Sequence, residues 1–492
     1  MGQAKKKAAL RAAQMDQTKP MKAARFDVLT IGTRGPATRY MAEELSYWTD
    51  TDERVIGLVF RDRTDDDFGW VVMARDAAGR FRGVNVEASL RSLDYATVGL
   101  RVAMAEALAL PVDHIGIQGD EPAVAIDLLT VASDVPGSKL HPYFKELVES
   151  PGRQPARSII REIGPWLDPQ DPHLIKEFQQ HQFDQRLWEL YLWAAFRELG
   201  MKVEHREAPD FVCQSIHQEF SVEATTVAPS TMGPLASHPN PKTRKEMEEF
   251  LNNYMPLKYG SSLKTKLEKK NADGQRYWER EDTRGKPFLL AIADFHKAAT
   301  EEEMGSMTYT QSSIWQYLYG TRVDWSVMEG RLVLTPTKVT SHAYNGKTAP
   351  SGFFDLAEAV NVSAVLFSNA GTIAKFDRMG VLAGFGAVDH KYFRFGMHPD
   401  PDPNSPVGIP FSLEVTAEDE YEELWSDELQ VFHNPNAKYP LDRRVFGGIA
   451  QHWFEDGDLR SIVPPHHVLS SFTAIFHVTD GGDFRGPVED SS

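Results

Sequence analysis

The segment HLIKEFQQHQFDQRLWELYLWAAFRELG, residues 173–200, leaves the folded chain little choice. Phe183, Leu187, Leu190, Tyr191 and Ala194 recur at helical spacing, and Trp188, Leu192, Ala195 and Leu199 make a second apolar stripe beside them. A helix with two adjoining apolar stripes keeps no broad face for water, so other elements must wrap most of its circumference. Gly200 suits a helix stop, and MKVEHR can leave it as a strand. Glu189 sits inside WELYLW, where a carboxylate is costly unless it is paired, hydrogen-bonded or close to a metal. An ion pair with Arg186 on the preceding turn is the plain structural account of it.

A chain of 492 residues, 41% apolar, can enclose such a helix and build more than one core. It holds no apolar run of about 18 residues, and its start, MGQAKKKAALRAAQ, lacks the apolar region of a secretory signal. A cytoplasmic protein with no membrane partner is expected. The single cysteine, Cys213, can form no intrachain disulfide and cannot by itself hold zinc. A formal charge of −17 argues against a protein that coats nucleic acid generally, because phosphate binding needs cations over the contact surface. Bases nevertheless outnumber acids in residues 1–25 and again from Lys242 to Lys286.

The pattern predicts an α/β and α+β multidomain chain. Residues 1–24 read as a basic disordered tail and 25–150 as an N-terminal α+β domain. In that domain VIGLVFRD, FGWVVMARD and RFRGVNVEA are strands, LDYATVGLRVAMAEALAL is a helix, and Asp65, Asp66 and Asp67 form a solvated hairpin turn. Residues 151–172, with Pro151, Pro155, Pro165, Pro169 and Pro172, read as a linker, since each proline removes an amide donor. A central domain spans 173–330, a C-terminal α+β domain 331–480 and a tail 481–492. The C-terminal domain contains the strands RLVLTPTKV and NVSAVLFS and the loop HPDPDPNSP.

The chemistry concentrates in APDFVCQSIHQEFSVEATTVAP, residues 208–229. If DFVCQSI and EFSVEATTV are the arms of an antiparallel hairpin, residues whose numbers sum to 433 face one another, and Asp210 lies opposite Glu223. Opposed side chains have Cβ atoms about 4.5–5.5 Å apart. Two carboxylates that close repel unless a cation or a proton sits between them. Mg²⁺, a hard cation with a preference for oxygen, fits that arrangement.

The order of a helix at 173–199, strands at 201–206, 210–216 and 219–227, a helical region at 242–271 and the strand PFLLAIAD resembles the αβββαβ core of the PD-(D/E)XK, or restriction-endonuclease-like, nuclease superfamily. The resemblance covers about a quarter of the chain, with a mixed α/β domain on either side. It implies that Asp210 and Glu223, with the Ala224 carbonyl, hold Mg²⁺ or Mn²⁺, and that Glu189 matches an acid some members carry on the first helix. One departure stands out. Thr225 occupies the place of the motif lysine, and a neutral hydroxyl cannot supply its positive charge.

Some members of the superfamily bring that lysine from the following helix. In GSSLKTKLEKK, where Ser261 or Ser262 can cap a helix, Leu263, Lys266, Leu267 and Lys270 fall on one stripe. Lys266 is therefore the candidate, with Lys270 second, and lysines that merely flank a buried stripe are the alternative. Lys264, Lys269 and Lys270 are candidates for phosphate-backbone contacts. The function implied is metal-assisted hydrolysis of phosphodiester bonds, in DNA rather than RNA, in bacterial defence or DNA processing. A homodimer or a partner protein would use the outer domains. Two other readings stay open: a catalytically inactive nuclease-like scaffold that binds nucleic acid or protein, and a metal hydrolase built on His452, His466 and His467 with Asp456 and Asp458. VFHNPNAKYPL reads as a tight turn in which His433 has no catalytic part.

Overall fold

The computed structural model describes residues 16–478, apart from 123, 168–170, 172, 228–229, 231, 237–238, 240, 295–309, 406, 419–420 and 456. Its largest element is a mixed eight-stranded sheet whose strands lie side by side in chain order. They are β1 Lys202–His205, β2 Phe211–Gln214, β3 Glu219–Val227, β4 Phe288–Asp294, β5 Ala364–Ser368, β6 Gln430–His433, β7 Ala450–Glu455 and β8 Asp458–Ile462. The first three are antiparallel, whereas β3, β4 and β5 run parallel. Beyond them β6 is antiparallel to β5, β7 parallel to β6, and β8 antiparallel to β7.

Parallel strands bury both faces and read as continuous apolar runs. All seven residues of β4, FLLAIAD, are buried. On one face Leu289 and Ala291 join Val222 and Ala224 in a core with Trp188, Leu192 and Phe196 of the helix Phe183–Glu198. On the other, Leu290 and Ile292 pack with Tyr259, Leu263 and Leu267 of the helix Met255–Glu268. The first helix is buried at all but a few positions, as its two stripes require. It is preceded by a π-helical turn, Glu177–His181, and interrupted from it at Gln182, which leaves the helical region at φ −132° and ψ 40°.

The N-terminal region forms a separate five-stranded antiparallel meander, Thr18–Met21, Ala42–Asp50, Val55–Asp62, Phe68–Arg75 and Phe81–Leu90. The helix Leu93–Leu108, capped by the Ser92 hydroxyl, covers it with Leu100 and Met104 against Val55, Val59 and Trp70. Asp65, Asp66 and Asp67 lie in the turn between two of its strands. The C-terminal region contributes a three-stranded sheet, Ile409–Val415, His390–His398 and Ser470–His477. A buried ion network holds that sheet to the helix Ile373–Leu382: Lys375 donates to Glu423 and Glu428, and Arg378 and Arg394 pair with the same two acids. No helix among the described residues is long and apolar enough to cross a membrane.

Three expectations need correction. The residues read as a linker contain the helix Gln154–Ile163, whose Ile159, Ile160 and Ile163 are each about 1% exposed within the main core. Pro151, Pro155 and Pro165 stand at the first positions of helical turns, where the missing amide hydrogen has no intrahelical partner to lose; Pro169 and Pro172 lie outside the described residues. The sheet also runs through the boundary drawn at 330/331, because β5 pairs with β4 along its whole length. Residues 18–21, assigned to a tail, pair with Ala42–Asp50, while residues 1–15 and the tail 481–492 lie outside the described residues. Replacing Ile160 with alanine is expected to cost about 2–5 kcal/mol, as deletion of a buried aliphatic side chain does. Urea unfolding measures this, and a loss below about 0.5 kcal/mol, typical of a surface position, would restore the linker reading.

Candidate active site

The hairpin of β2 and β3 has the expected register: Phe211 faces Val222, Val212 faces Ser221, Cys213 faces Phe220 and Gln214 faces Glu219. The turn is closed by Ser215, whose amide and hydroxyl donate to the Gln218 carbonyl while its oxygen accepts the amides of His217 and Gln218. Asp210 stands one residue before that ladder, near enough to Glu223 for the two charges to act on each other. Asp210 is fixed from both sides, since its carbonyl accepts the Arg206 amide at 2.9 Å and its Oδ2 accepts the Ala224 amide at 2.6 Å.

Glu223 is 2% exposed on the sheet face that carries the helix Met255–Glu268. Its Oε1 accepts two short hydrogen bonds, from Lys266 Nζ at 2.6 Å and from the Tyr277 hydroxyl at 2.6 Å. Its Oε2 is buried and meets no hydrogen-bond partner among the described residues. Lys266 reaches it because Leu263 and Leu267 anchor the same helical stripe in the core. Burial acts to lower the Lys266 pKa, but the charges of Glu223 and Asp210 outweigh it and the ammonium is held above its ordinary value. Thr225, two residues after Glu223 and on the same strand face, is 7% exposed and lies beside Ile292 of β4.

The three acids differ in their surroundings. Burial, joined by the negative charges of Glu223 and then Glu189, raises the Asp210 carboxyl well above its usual range, against the pull of Lys266 and the Ala224 amide. Burial would also raise Glu189, yet its neighbours His205, Arg186 and Gln185 outweigh it and hold its pKa below the ordinary value. Arg186 donates to its Oε2 at 2.7 Å and Gln185 to its Oε1 at 2.8 Å. His205 Nε2, 3.7 Å from the same Oε2, is too far for a hydrogen bond and contributes as a neighbouring charge when protonated. The Arg186 pair foreseen from sequence is present, and Glu189 also acts on the electrostatics of Asp210 and Lys266.

The remaining candidates fall differently. Ala224 gives its amide to Asp210 and buries its methyl group in the main core. Lys264 points away from Glu223 and pairs with Glu268 at 3.7 Å on the exposed side. Ser261 and Ser262 cap nothing, because the helical run begins at Arg244 behind the Thr243–Glu246 capping box and passes through them. Lys270 does not share the Lys266 stripe, since the helix ends at Glu268 and Lys269 is already extended; the Lys269 ammonium lies 5.8 Å from the Tyr277 ring.

Two participants escaped the sequence reading, Tyr277 and His205. Tyr277 lies in a polar stretch, NADGQRYWERED, with no periodicity to give it a direction, whereas His205 was visible only as a residue of the strand MKVEHR.

Among the described residues the C-terminal histidines do not assemble a metal centre. His433 bonds Gln451, His452 bonds Gln430 and Ser461, and His467 bonds the Asp427 carbonyl; burial lowers the pKa of all three. Asp456 lies outside the described residues. Among the described residues no three His, Cys, Asp or Glu side chains converge as a metal-ligand set, so Glu189 does not join Asp210 and Glu223 around one point. The oxygen pair on β2 and β3 remains.

In comparisons with known proteins, no family model matches the chain, no curated protein matches it significantly, and no solved structure does so either.

The Asp210 environment has a stability consequence. A carboxyl whose folded-state pKa is raised favours folding fully below the unfolded-state pKa, near about 3.9, and loses that contribution as pH rises through the folded-state pKa. Asp210→Asn keeps an acceptor for the Ala224 amide and removes the charge. In chelator-containing buffer the variant is expected to have a higher urea midpoint than wild type at pH 8 and to lose that advantage toward pH 4. A midpoint at pH 8 equal to or below that of wild type would contradict the electrostatic account.

Proposed function

We propose that this chain is a metal-dependent nuclease whose catalytic unit is the segment from Phe183 to Asp294, a divergent restriction-endonuclease-like core that hydrolyses phosphodiester bonds in DNA. The observation that carries the proposal is the contact between Lys266 Nζ and Glu223 Oε1. It brings a lysine from the following helix to the acid whose strand has Thr225 in place of the motif lysine. The element order around it supports the same reading: one buried helix, three antiparallel strands, a helical crossover and a parallel fourth strand.

The side chains present fit a divalent cation of the Mg²⁺ or Mn²⁺ type. Two carboxylates on adjacent strands supply hard oxygen ligands, and the orphaned Glu223 Oε2 is an anionic acceptor that burial penalises unless something binds it. The Asp210 carboxyl, raised by burial first and then by the charges of Glu223 and Glu189, would likewise gain from a bound cation. Such an ion, when bound by Asp210 and Glu223 with the Ala224 carbonyl, would supply Lewis acidity and a more acidic bound water.

The chain's own residues would do the rest. Lys266, kept protonated by its neighbours, offers positive charge to the phosphate as charge develops there. Glu189, held ionised by Arg186 and Gln185, deepens the negative potential that selects a cation. Lys269 and Lys270, with Lys264 once it leaves Glu268, would meet the nucleic-acid backbone. A role in bacterial defence or DNA processing follows only by analogy with the superfamily.

Two observations favour a second reading. Glu223 is already paired with Lys266 and hydrogen-bonded by Tyr277, and among the described residues the three acids do not converge, which suits an inactive scaffold that binds nucleic acid or protein.

Cleavage of supercoiled plasmid and of single- and double-stranded oligonucleotides with Mg²⁺ or Mn²⁺ separates the two. Wild type is expected to cut, Asp210→Ala and Glu223→Ala to fall to background, and Lys266→Ala to lose about 10²–10³ in rate, as removal of one charge-stabilising donor does. Activity that survives both acid substitutions would remove the nuclease reading. Metal-dependent binding without cleavage would establish the scaffold.

A further inference from the structure

We propose that Tyr277 is a positioning residue for the cation site: its hydroxyl, together with Lys266, engages Glu223 Oε1 so that Oε2 is left as the metal-binding oxygen. This inference rests on the metal-site part of the nuclease reading and concerns a residue outside the motif positions.

Three observations carry it. The Tyr277 hydroxyl donates to Glu223 Oε1 at 2.6 Å, the same oxygen that Lys266 takes, and Oε2 is buried with no hydrogen-bond partner among the described residues. Both donors on one oxygen divide the carboxylate into an anchored half and a free half. The ring is also fixed independently of that bond. Tyr277 is 1% exposed and stacks on Phe288, the first residue of β4, with centroids 5.5 Å apart.

Finally, the segment that follows Tyr277 is tied to the stretch just before Asp210. Arg280 donates to the Ala208 carbonyl two residues before Asp210, Arg206 pairs with Asp282, and Thr283 folds back to donate to the Tyr277 carbonyl. A residue that orients a ligand carboxylate acts by restricting its rotation, and loss of such an outer hydrogen bond typically weakens metal binding about 10–100-fold.

The test is Mn²⁺ titration of the full chain, followed by electron paramagnetic resonance of the free ion, with no nucleic acid present. Tyr277→Phe removes only the hydroxyl and keeps the stacked ring. It is expected to weaken Mn²⁺ binding about tenfold or more, while its circular dichroism stays that of wild type. Tyr259→Phe is the control, since it removes another buried hydroxyl over the same sheet face, one that bonds Asp294 instead of Glu223, and it should leave the affinity unchanged.

Equal Mn²⁺ affinity in Tyr277→Phe and wild type overturns the inference, as does equal loss in Tyr259→Phe or a wild type that binds no Mn²⁺. The two proposals fail separately. Affinity lost in Tyr277→Phe in a protein that cuts no DNA supports the positioning role and removes the nuclease reading. Cleavage by a wild type whose Mn²⁺ affinity is untouched in Tyr277→Phe does the reverse.

Discussion

Everything in the central part of the molecule depends on hiding one helix. Phe183–Glu198 presents Trp188, Tyr191, Leu192 and Phe196 in different directions, all essentially without exposure, so no single partner surface could cover it. The sheet takes one side, where Trp188 Nε1 donates to the Ala291 carbonyl of β4. The helices around Phe144, Ile159 and Ile160 take another, within the same core. Its C-terminal end secures the remaining neighbours through polar groups: Arg197 donates to the carbonyls of Ile31, Gly32 and Arg34, and Glu198 accepts from the Trp425 and Ser426 amides and the Ser426 hydroxyl. Burial pushes the Glu198 carboxyl up to about 7 despite those three donors. One helix thus joins segments from the beginning, middle and end of the chain.

The candidate site occupies the place where the sheet changes character. β2 and β3 are antiparallel, so Asp210 and Glu223 can face each other across a short turn, whereas β3 and β4 are parallel and require a crossover. That crossover carries both Lys266 and Tyr277 over the β3 face. A lysine thus reaches Glu223 without one standing in β3. A lysine at 225 would lie on the Glu223 face beside Ile292, in a region that this chain fills with Leu290, Ile292 and the aromatic side of the helix Met255–Glu268. Thr225 fits that apolar surface, and the positive charge comes from above it.

What could be read from sequence follows how local each signal was. The register of β2 and β3 follows only if the hairpin is centred between Ile216 and His217, which a turn without Asn-Gly does not itself dictate; the ladder has that register. The direction of Lys266 followed from the i, i+3 and i+4 relations to Leu263, Leu267 and Lys270, although the helix stops before Lys270 and starts well before Ser261. Pairing of β5 with β4 left no such trace. AVLFS is a short apolar run that would look the same in a separate domain, and its partner lies 75 residues earlier, Ala364 pairing with Leu289. Prolines misled for a related reason: proline marks both linkers and the first turns of helices, and only the buried isoleucines after Pro155 distinguish the two. Tyr277 was invisible because its role depends on where a loop folds back, which periodicity does not encode.

The side-by-side order of β1 to β8 has a consequence for how the chain is made. Each strand of the sheet docks against the one synthesised just before it, so during translation the sheet can grow at a single advancing edge. No strand has to wait beside a gap for a partner still inside the ribosome. The antiparallel strands β1 to β3 are the first of the eight to be made and can close through short turns with little chain entropy lost, while the longer parallel crossovers come later. In that order of synthesis β3, with Glu223, precedes every strand that needs a parallel crossover.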